Sequence, residues 1–217
     1  MTGAAQGSPT SESGCDDDLS SRPEARVEAR QFGLRGFVAL WRGARPIVGE
    51  LTDHAAIVDA LVTAGRVELD EHGVVVGVHG LVARATPHRI EHRDGEVHTW
   101  CALDAVGIPA ALGIDATART SCPTCGAGLA VELRGGEPVG AEAARLWVPG
   151  GPCAHLVEDF CQHANLYCNA DHLAAAVPSG SRGQAMSVAQ AASIGRAVWR
   201  DAAAALRTAV EDRPWPR

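Results

Sequence analysis

One acidic residue inside an apolar segment constrains the fold of this 217-residue chain more than any other feature. Residues 100–104 place Cys101 and Asp104 three positions apart among Trp, Ala and Leu. On a helix, positions i and i+3 share one face, so the thiol and the carboxyl are expected to be neighbours. Burial of a carboxyl is costly without a partner, and it raises the pKa because the charged form is disfavoured. The segment therefore predicts either a chemical thiol–acid pair or a packed Cys beside a partnered acid.

The first third of the chain predicts three helices followed by a β-hairpin. Apolar periodicity indicates a helix over residues 23–42, a short helix near residues 48–51 and a third over residues 54–64. Alternating β-branched residues around a Gly-bearing turn predict a hairpin over residues 66–78. This order is the outline of a winged-helix-like domain over residues 23–85.

Winged-helix domains often bind DNA, and the third helix is the candidate recognition helix. Here the candidate recognition helix, taken over residues 53–64, carries Asp53, His54 and Asp59 but no Lys or Arg, and the whole chain has a net charge of −7. Binding to phosphates needs clustered basic residues, so nucleic acid is not expected as a partner. A structural cover for the following domain is the favoured interpretation, and a DNA-binding regulator built on residues 25–80 is the less favoured one.

The remainder of the chain, residues 86–212, mixes strand and helix patterns and predicts a separate α+β catalytic domain. A helix is expected over residues 101–112, with Pro109 as a kink or an early end. Residues 134–144 are polar and Gly-rich and are expected to form a loop. One long helix is expected over residues 188–211. The fold class predicted for the whole chain is α+β.

The N-terminal residues 1–22 contain too few apolar side chains to offset the entropy of ordering, which predicts a disordered tail. They lack the basic and apolar regions of a signal peptide, and no apolar run of the chain is long enough to span a bilayer. A cytoplasmic location without membrane contact is therefore expected. In that compartment thiols stay reduced and are available for metal binding, catalysis or packing.

Residues 122–126 form a second thiol motif, in which Cys122 and Cys125 have the spacing of half a zinc site. Alternatives are a redox pair, which would prefer a helix N-terminus, and a turn with two packed thiols. A complete zinc site needs two further ligands. Candidates are three later pairs: Cys153 with His155, Cys161 with His163, and Cys168 with His172.

Three segments follow one another in a specific order: residues 99–104 are TWCALD, residues 117–122 are TARTSC and residues 160–163 are FCQH. In this order and spacing they resemble the alkylmercury lyase (organomercurial lyase) family. Residues 183–191 are also similar to the start of the last helix of that family. The resemblance covers approximately residues 25–210.

The resemblance implies cleavage of carbon–mercury bonds by protonolysis, giving a hydrocarbon and Hg(II) without a cofactor. Cys101 and Cys161 would bind mercury through thiolates, which are the soft ligands that this metal prefers. Asp104 would supply the proton that the leaving carbon needs. The implied partners are an organomercurial substrate, low-molecular-weight thiols and a mercuric reductase that accepts Hg(II).

Two positions depart from many members of that family. Gln162 stands where a second consecutive Cys is common, and Cys125 adds a thiol beside Cys122, which matches a structural cysteine of the family. The added thiol leaves an extra structural or metal-binding role open. The alternative function is a non-enzymatic metal-binding or metal-sensing protein that would use Cys101, Cys122, Cys125 and Cys161.

Overall fold

The computed structural model describes residues 23–212 of the chain. The tail predicted at residues 1–22 lies outside the described residues. Within the described part, each helix is too short or too polar to cross a membrane.

Helices lie at both ends of the described chain and in its middle. They are α1 (Pro23–Trp41), α2 (Val48–Leu51), α3 (Ala55–Thr63), α4 (Ala102–Leu112), α5 (Ala170–Ala176), α6 (Val188–Val198), α7 (Arg200–Asp212) and a short π-helix (Leu156–Cys161).

The strands lie mostly between α3 and α5. They are β1 (Val67–Leu69), β2 (Val75–Val78), β3 (Leu81–Val82), β4 (Arg89–His92), β5 (Gly95–Thr99), β6 (Ala116–Ser121), β7 (Gly128–Arg134), β8 (Glu137–Val139), β9 (Arg145–Pro149), β10 (Leu166–Tyr167) and β11 (Gly183–Ser187).

Two antiparallel sheets organise these strands. The larger sheet has eight strands in the order β1-β2-β3-β5-β4-β6-β7-β8, and the smaller has the order β10-β9-β11. The expected α+β class is confirmed. The predicted hairpin is the pair β1–β2, and β3 joins it to β5, so the N-terminal hairpin and the later strands share one sheet.

The three N-terminal helices agree with the sequence pattern. Helix α1 buries Phe32 and Phe37, which have exposed fractions of 1% and 0%, and it packs against β2 and β3. Helix α3 buries Val58 and Leu61. The apolar residues at helical spacing therefore form the inner faces of these helices, as their periodicity predicts.

Helix α4 lies at the centre of the molecule and buries every residue from Ala102 to Ala110. Pro109 lies inside the helix, which continues to Leu112 and is followed by Gly113 in the left-handed conformation (φ 67°). The predicted extent of the helix to Leu112 is therefore confirmed, and of the two alternatives for Pro109 an early end is wrong. The physical reason is tertiary: packing on all sides stabilises α4 and outweighs the hydrogen bond that a proline cannot donate.

Helices α4 and α6 cross at two glycines. A Cβ atom on Gly107 would lie 2.5 Å from Trp199 Cζ3 and 2.9 Å from Gly195 Cα, and a Cβ atom on Gly195 would overlap Gly107. Only glycine permits this separation between the two backbones. This close approach packs α6 directly against α4.

Two predictions for the C-terminal part differ from the structure. The expected single last helix is divided at Trp199, whose indole Nε1 donates a hydrogen bond to the carbonyl of His79 at 2.9 Å. The expected loop over residues 134–144 contains β8, which pairs with β7. The division at Trp199 depends on a contact with a distant part of the chain, which local periodicity does not report. Strand β8, in contrast, forms a local hairpin with β7 around Gly135 and Gly136, a Gly–Gly turn that the prediction of a loop overlooked.

Candidate active site

Cys101 and Asp104 lie together at the N-terminus of α4. Cys101 is the N-cap residue, with extended backbone angles (φ −146°, ψ 174°), and Asp104 is the third residue of the helix. The N–H of Cys101 donates a hydrogen bond of 3.0 Å to Asp104 Oδ2. The two residues are neighbours as their spacing predicts, but through a helix cap and not through two positions on one helical face.

Cys161 is the last residue of the π-helix and reaches the same place from a different segment. A backbone hydrogen bond of 3.0 Å from Ala102 to the carbonyl of Ala164 joins the start of α4 to the chain just after Cys161. The sulfur atoms of Cys101 and Cys161 and a carboxylate oxygen of Asp104 all lie within 4.8 Å of one another. We call these three residues the buried triad.

Burial dominates the electrostatics of the buried triad. The exposed fractions are 0% for Cys101, 5% for Asp104 and 3% for Cys161. Burial raises the pKa of Asp104 to about 7, although hydrogen bonds from Cys101 and Trp100 act in the opposite direction. The carboxyl is therefore able to gain or lose a proton near neutral pH.

The two thiols of the buried triad are weak acids. Burial raises the pKa of Cys101 well above its ordinary value, and the hydrogen bond with Cys161 and the charge of Asp104 add to this effect. The same hydrogen bond lowers the pKa of Cys161, but burial and the charge of Asp104 raise it overall. Asp104 is thus the strongest acid of the three groups.

Gly80 packs directly against Asp104, a contact that the sequence did not predict. Its φ is +92°, and a Cβ atom there would lie 3.1 Å from Asp104 Oδ1 and 3.3 Å from Ile108 Cδ1. The carbonyl of Gly80 accepts a hydrogen bond of 3.0 Å from the N–H of Trp100. The sequence signal was a glycine in the short turn between two strands, which by itself does not indicate contact with a distant acid.

Comparison with known proteins agrees with the segments singled out in the sequence. The family model for alkylmercury lyase (MerB) matches residues 81–200, which include the whole buried triad. This chain belongs to the alkylmercury lyase family. The resemblance inferred from residues 99–104, 117–122 and 160–163 is confirmed, and the chain is a lyase, as expected.

Individual relatives support the assignment to this family. An alkylmercury lyase of Streptomyces lividans is 27% identical over 155 residues, which are 67% of this chain and 71% of that protein. An alkylmercury lyase of Staphylococcus epidermidis is 44% identical over 73 residues, which are 34% of this chain and 32% of that protein.

A solved structure shares the fold. The crystal structure of the mercury-bound form of MerB2 superimposes with a TM-score of 0.69 at 16% identity and covers 85% of this chain and 93% of that chain. At this identity the likeness concerns the fold alone.

A second group of thiols in this alkylmercury lyase family member lies apart from the buried triad. It consists of Cys122, Cys125, Cys168 and His172, whose ligand atoms all lie within 4.8 Å of one another. We call these four residues the outer cluster. The sequence offered three pairs of Cys and His as partners for Cys122 and Cys125. In the structure the third pair, Cys168 with His172, lies beside them.

The grouping of the described thiols corrects one alternative. A metal site using Cys101, Cys122, Cys125 and Cys161 together is not formed within residues 23–212, because these thiols divide between the buried triad and the outer cluster. The turn over residues 122–126 also lies between β6 and β7 and not at a helix N-terminus, which is unfavourable for a redox pair.

Proposed function

We propose that this chain cleaves the carbon–mercury bond of organomercurials by protonolysis and retains Hg(II) between Cys101 and Cys161. The observation that carries this proposal is the convergence of two buried thiols and one buried carboxyl within 4.8 Å. Membership of the alkylmercury lyase family gives the reaction class.

The reaction balances without a change in oxidation state. One organomercury cation reacts with two thiols to give one hydrocarbon, one Hg(II) bound by two thiolates and one released proton. The Hg–C bond breaks, two Hg–S bonds form, and one thiol proton ends on carbon. Mercury is soft, so two thiolates are well matched to hold it.

Asp104 carries the proton between sulfur and carbon in this proposal. The raised pKa values of both thiols keep them protonated at rest. Binding of a metal requires a thiolate and so releases a proton, and the carboxylate of Asp104, with a pKa of about 7, is the nearest base that accepts it. Asp104 then donates this proton to the carbon as the Hg–C bond breaks.

The apolar surroundings of the buried triad favour both parts of the chemistry. They suit an alkyl or aryl group, and they keep the pKa of Asp104 high enough for it to act as an acid near neutral pH. Because the three side chains are almost completely buried, the substrate reaches them only when neighbouring segments separate.

The products need acceptors outside the protein. We propose that low-molecular-weight thiols or a mercuric reductase remove Hg(II) by exchange of thiolate ligands, which suits the reducing cytoplasm. The site itself needs no further cofactor in this scheme, since two thiols and one acid supply every group that the balanced reaction requires.

We further propose that residues 23–85 form a winged-helix-like cover over the domain at residues 86–212. Two features support this role. Helix α3 contains no Lys or Arg over Ala55–Thr63, so it lacks the charges that would neutralise DNA phosphates. Gly80, near the end of this region, lies against Asp104 and helps to enclose the buried triad.

The proposed reaction is tested by incubation of the protein with phenylmercury and an excess of a small thiol. We expect benzene in multiple turnovers, measured by gas chromatography. Cys161→Ser and Asp104→Asn are expected to release none above background, whereas Gln162→Ala, at an exposed neighbouring position, is the matched control. Full activity of Cys161→Ser or Asp104→Asn would remove that residue from the scheme.

A further inference from the structure

The outer cluster joins two separate parts of the chain. Cys122 and Cys125 lie in the turn between β6 and β7. Cys168 lies between β10 and α5, and His172 lies in the first turn of α5. Residues 43 to 50 positions apart in the chain thus come into contact, and their side chains are all of types that can bind a metal.

Two distances within the outer cluster match a tetrahedral zinc site. Cys122 Sγ lies 3.6 Å from His172 Nδ1, and Cys125 Sγ lies 3.6 Å from Cys168 Sγ. With Zn–S bonds of about 2.3 Å and Zn–N bonds of about 2.0–2.1 Å, tetrahedral geometry places two sulfurs about 3.8 Å apart and a sulfur and a nitrogen about 3.6 Å apart. The two observed distances therefore correspond to opposite edges of such a tetrahedron.

The backbone arranges these ligands without help from their own side chains. The N–H of Gly126, a residue with φ +71°, donates to the carbonyl of Cys122 at 2.8 Å, and the N–H of Cys122 donates to the carbonyl of Ala127 at 2.9 Å. The hydroxyl of Thr124 donates to the carbonyl of His172 at 2.7 Å. The turn and α5 are therefore already held in the relative position that binding requires.

The apolar packing around the outer cluster is separate from the main core and small. A separate apolar cluster here has Cys122, Tyr167 and Leu173 as its buried members, with exposed fractions of 1%, 5% and 9%. Small structural units of this kind commonly depend on a metal or a disulfide, because so little apolar surface is buried. The cysteines Cys122, Cys125 and Cys168 are free thiols, so all three are available to bind a metal.

We propose that Cys122, Cys125, Cys168 and His172 bind one structural Zn²⁺ ion that fastens the β6–β7 turn to β10 and α5. Three thiolates and one imidazole are a ligand set that zinc prefers. The protein fills all four positions, which is the arrangement of a structural site and leaves no place for a substrate. This proposal is independent of the carbon–mercury chemistry proposed for the buried triad.

The zinc ion would also stabilise the segment that follows Cys161. Strand β10 begins at Leu166, five residues after Cys161, and leads directly to Cys168. A bound ion at Cys168 and His172 therefore anchors the chain downstream of the π-helix. This effect is one of positioning, since the outer cluster does not contact the reacting atoms in the proposed scheme.

The direct test is metal analysis of the full chain expressed with zinc and purified under reducing conditions. We expect about one Zn²⁺ per chain by mass spectrometry of the metal, as four ligands define one site. Zinc X-ray absorption of the unaltered protein should give three sulfur neighbours and one nitrogen neighbour. A chain without bound zinc, or zinc with mainly oxygen neighbours, would overturn the proposal.

Single substitutions test which residues bind the zinc ion. Cys125→Ser, Cys168→Ser and His172→Gln should each lose most of the zinc. Cys161→Ser and His163→Gln, which change a thiol of the buried triad and an exposed histidine two residues later, should retain it. Loss of zinc in Cys161→Ser, or its retention in Cys168→Ser, would overturn the ligand assignment even if other variants fail to fold.

A chelator tests the structural role on the unaltered protein. Removal of the ion is expected to lower the Tm by about 5–10 °C, because binding of a structural metal contributes to folding free energy. Readdition of Zn²⁺ should restore the Tm. Complete removal of zinc without a change in Tm would contradict the structural role.

Discussion

The buried triad and the outer cluster use the same type of side chain in opposite environments. In the triad, two thiols have a buried acid as their neighbour, and the three side chains are at most 5% exposed. In the outer cluster, three thiols have a histidine as their neighbour, and only Cys122 is buried, while Cys125 is exposed and Cys168 and His172 are half-buried.

Both thiols of the buried triad have a raised pKa, whereas in the outer cluster the pKa of Cys168 is raised to about 11 and only that of Cys122 is lowered. Burial raises the pKa of Cys101 well above its ordinary value. Burial also acts to raise the pKa of Cys122, but hydrogen bonds from the backbones of Cys168, Cys125 and Thr124 and from the His172 side chain lower it to about 6. A thiol that is protonated at rest can supply a proton, whereas a thiol that ionises readily is suited to hold a metal permanently. The outer cluster thus contains one thiol that ionises readily, Cys122, whereas both thiols of the buried triad are harder to ionise than an ordinary cysteine.

The largest expected effect separates the two sites by activity. Cys101→Ser and Cys161→Ser should each reduce benzene release from phenylmercury by about a thousandfold or more, as loss of an essential reacting group does. Zinc content should stay the same in both variants. The measurement is gas chromatography and metal analysis on the same samples, and reduced zinc with intact turnover would reverse our assignment of the two sites.

A substitution at the crossing of α4 and α6 tests whether α6 packs against the helix that carries Asp104. Gly195→Ala should destabilise the protein by about 1–3 kcal/mol or more, because the added methyl group overlaps Gly107 of α4 and the core is overpacked. Urea unfolding measures the change. Gly33→Ala is the control, since a Cβ atom there meets nothing within 4 Å. Equal stabilities of the two variants would refute the close crossing of α4 and α6.

The pH dependence of stability tests the environment of Asp104. Its pKa is about 7 in the folded chain and 3.8 ordinarily, so between these values the folded chain binds a proton that the unfolded chain has released. The stabilising contribution is therefore complete below pH 4 and is lost as the pH rises through 7.

Asp104→Asn removes this contribution and keeps an acceptor for the Cys101 N–H. Relative to the unaltered protein, the Tm of the variant should rise by roughly 3–5 °C per pH unit between pH 4 and 7. Burial lowers the pKa of His79 and His88 to about 4, but both histidines titrate in both proteins and cancel in the difference. Parallel Tm profiles would show that Asp104 has an ordinary pKa.

The smallest expected effect concerns Gln162, which follows Cys161 directly in the chain. Gln162 is exposed, whereas Cys161 is buried. Turnover of Gln162→Cys should therefore stay within about twofold of the unaltered protein, as for most surface substitutions away from reacting groups. A tenfold change in either direction would place residue 162 in the reaction.

Local sequence patterns predicted local structure well. The periodicity of apolar residues predicted α1, α2 and α3 within one or two residues, and the Gly-bearing turn predicted the β1–β2 hairpin. The spacing of Cys101 and Asp104 predicted their contact. These features depend on interactions between residues that are close in the chain, which is the information that propensity and spacing contain.

Features that depend on contacts between residues far apart in the chain could be identified only from the three-dimensional structure. Cys161 lies 60 residues after Cys101 and was inferred from the family resemblance and not from spacing. The choice of Cys168 and His172 as partners of Cys122 stayed open among three pairs. Strand β11, which pairs with β9, and the contact of Gly80 with Asp104 were missed, because pairing between remote segments leaves little local signal.

The most direct test of the central claim is the isotopic composition of the hydrocarbon product. Phenylmercury should be incubated in heavy water with the equilibrated protein and excess small thiol, and the benzene analysed by mass spectrometry. If the buried triad transfers an exchangeable proton to carbon, the product is benzene with one deuterium, and Cys161→Ser releases none. No benzene from the unaltered protein, or benzene without deuterium, would contradict protonolysis at this site.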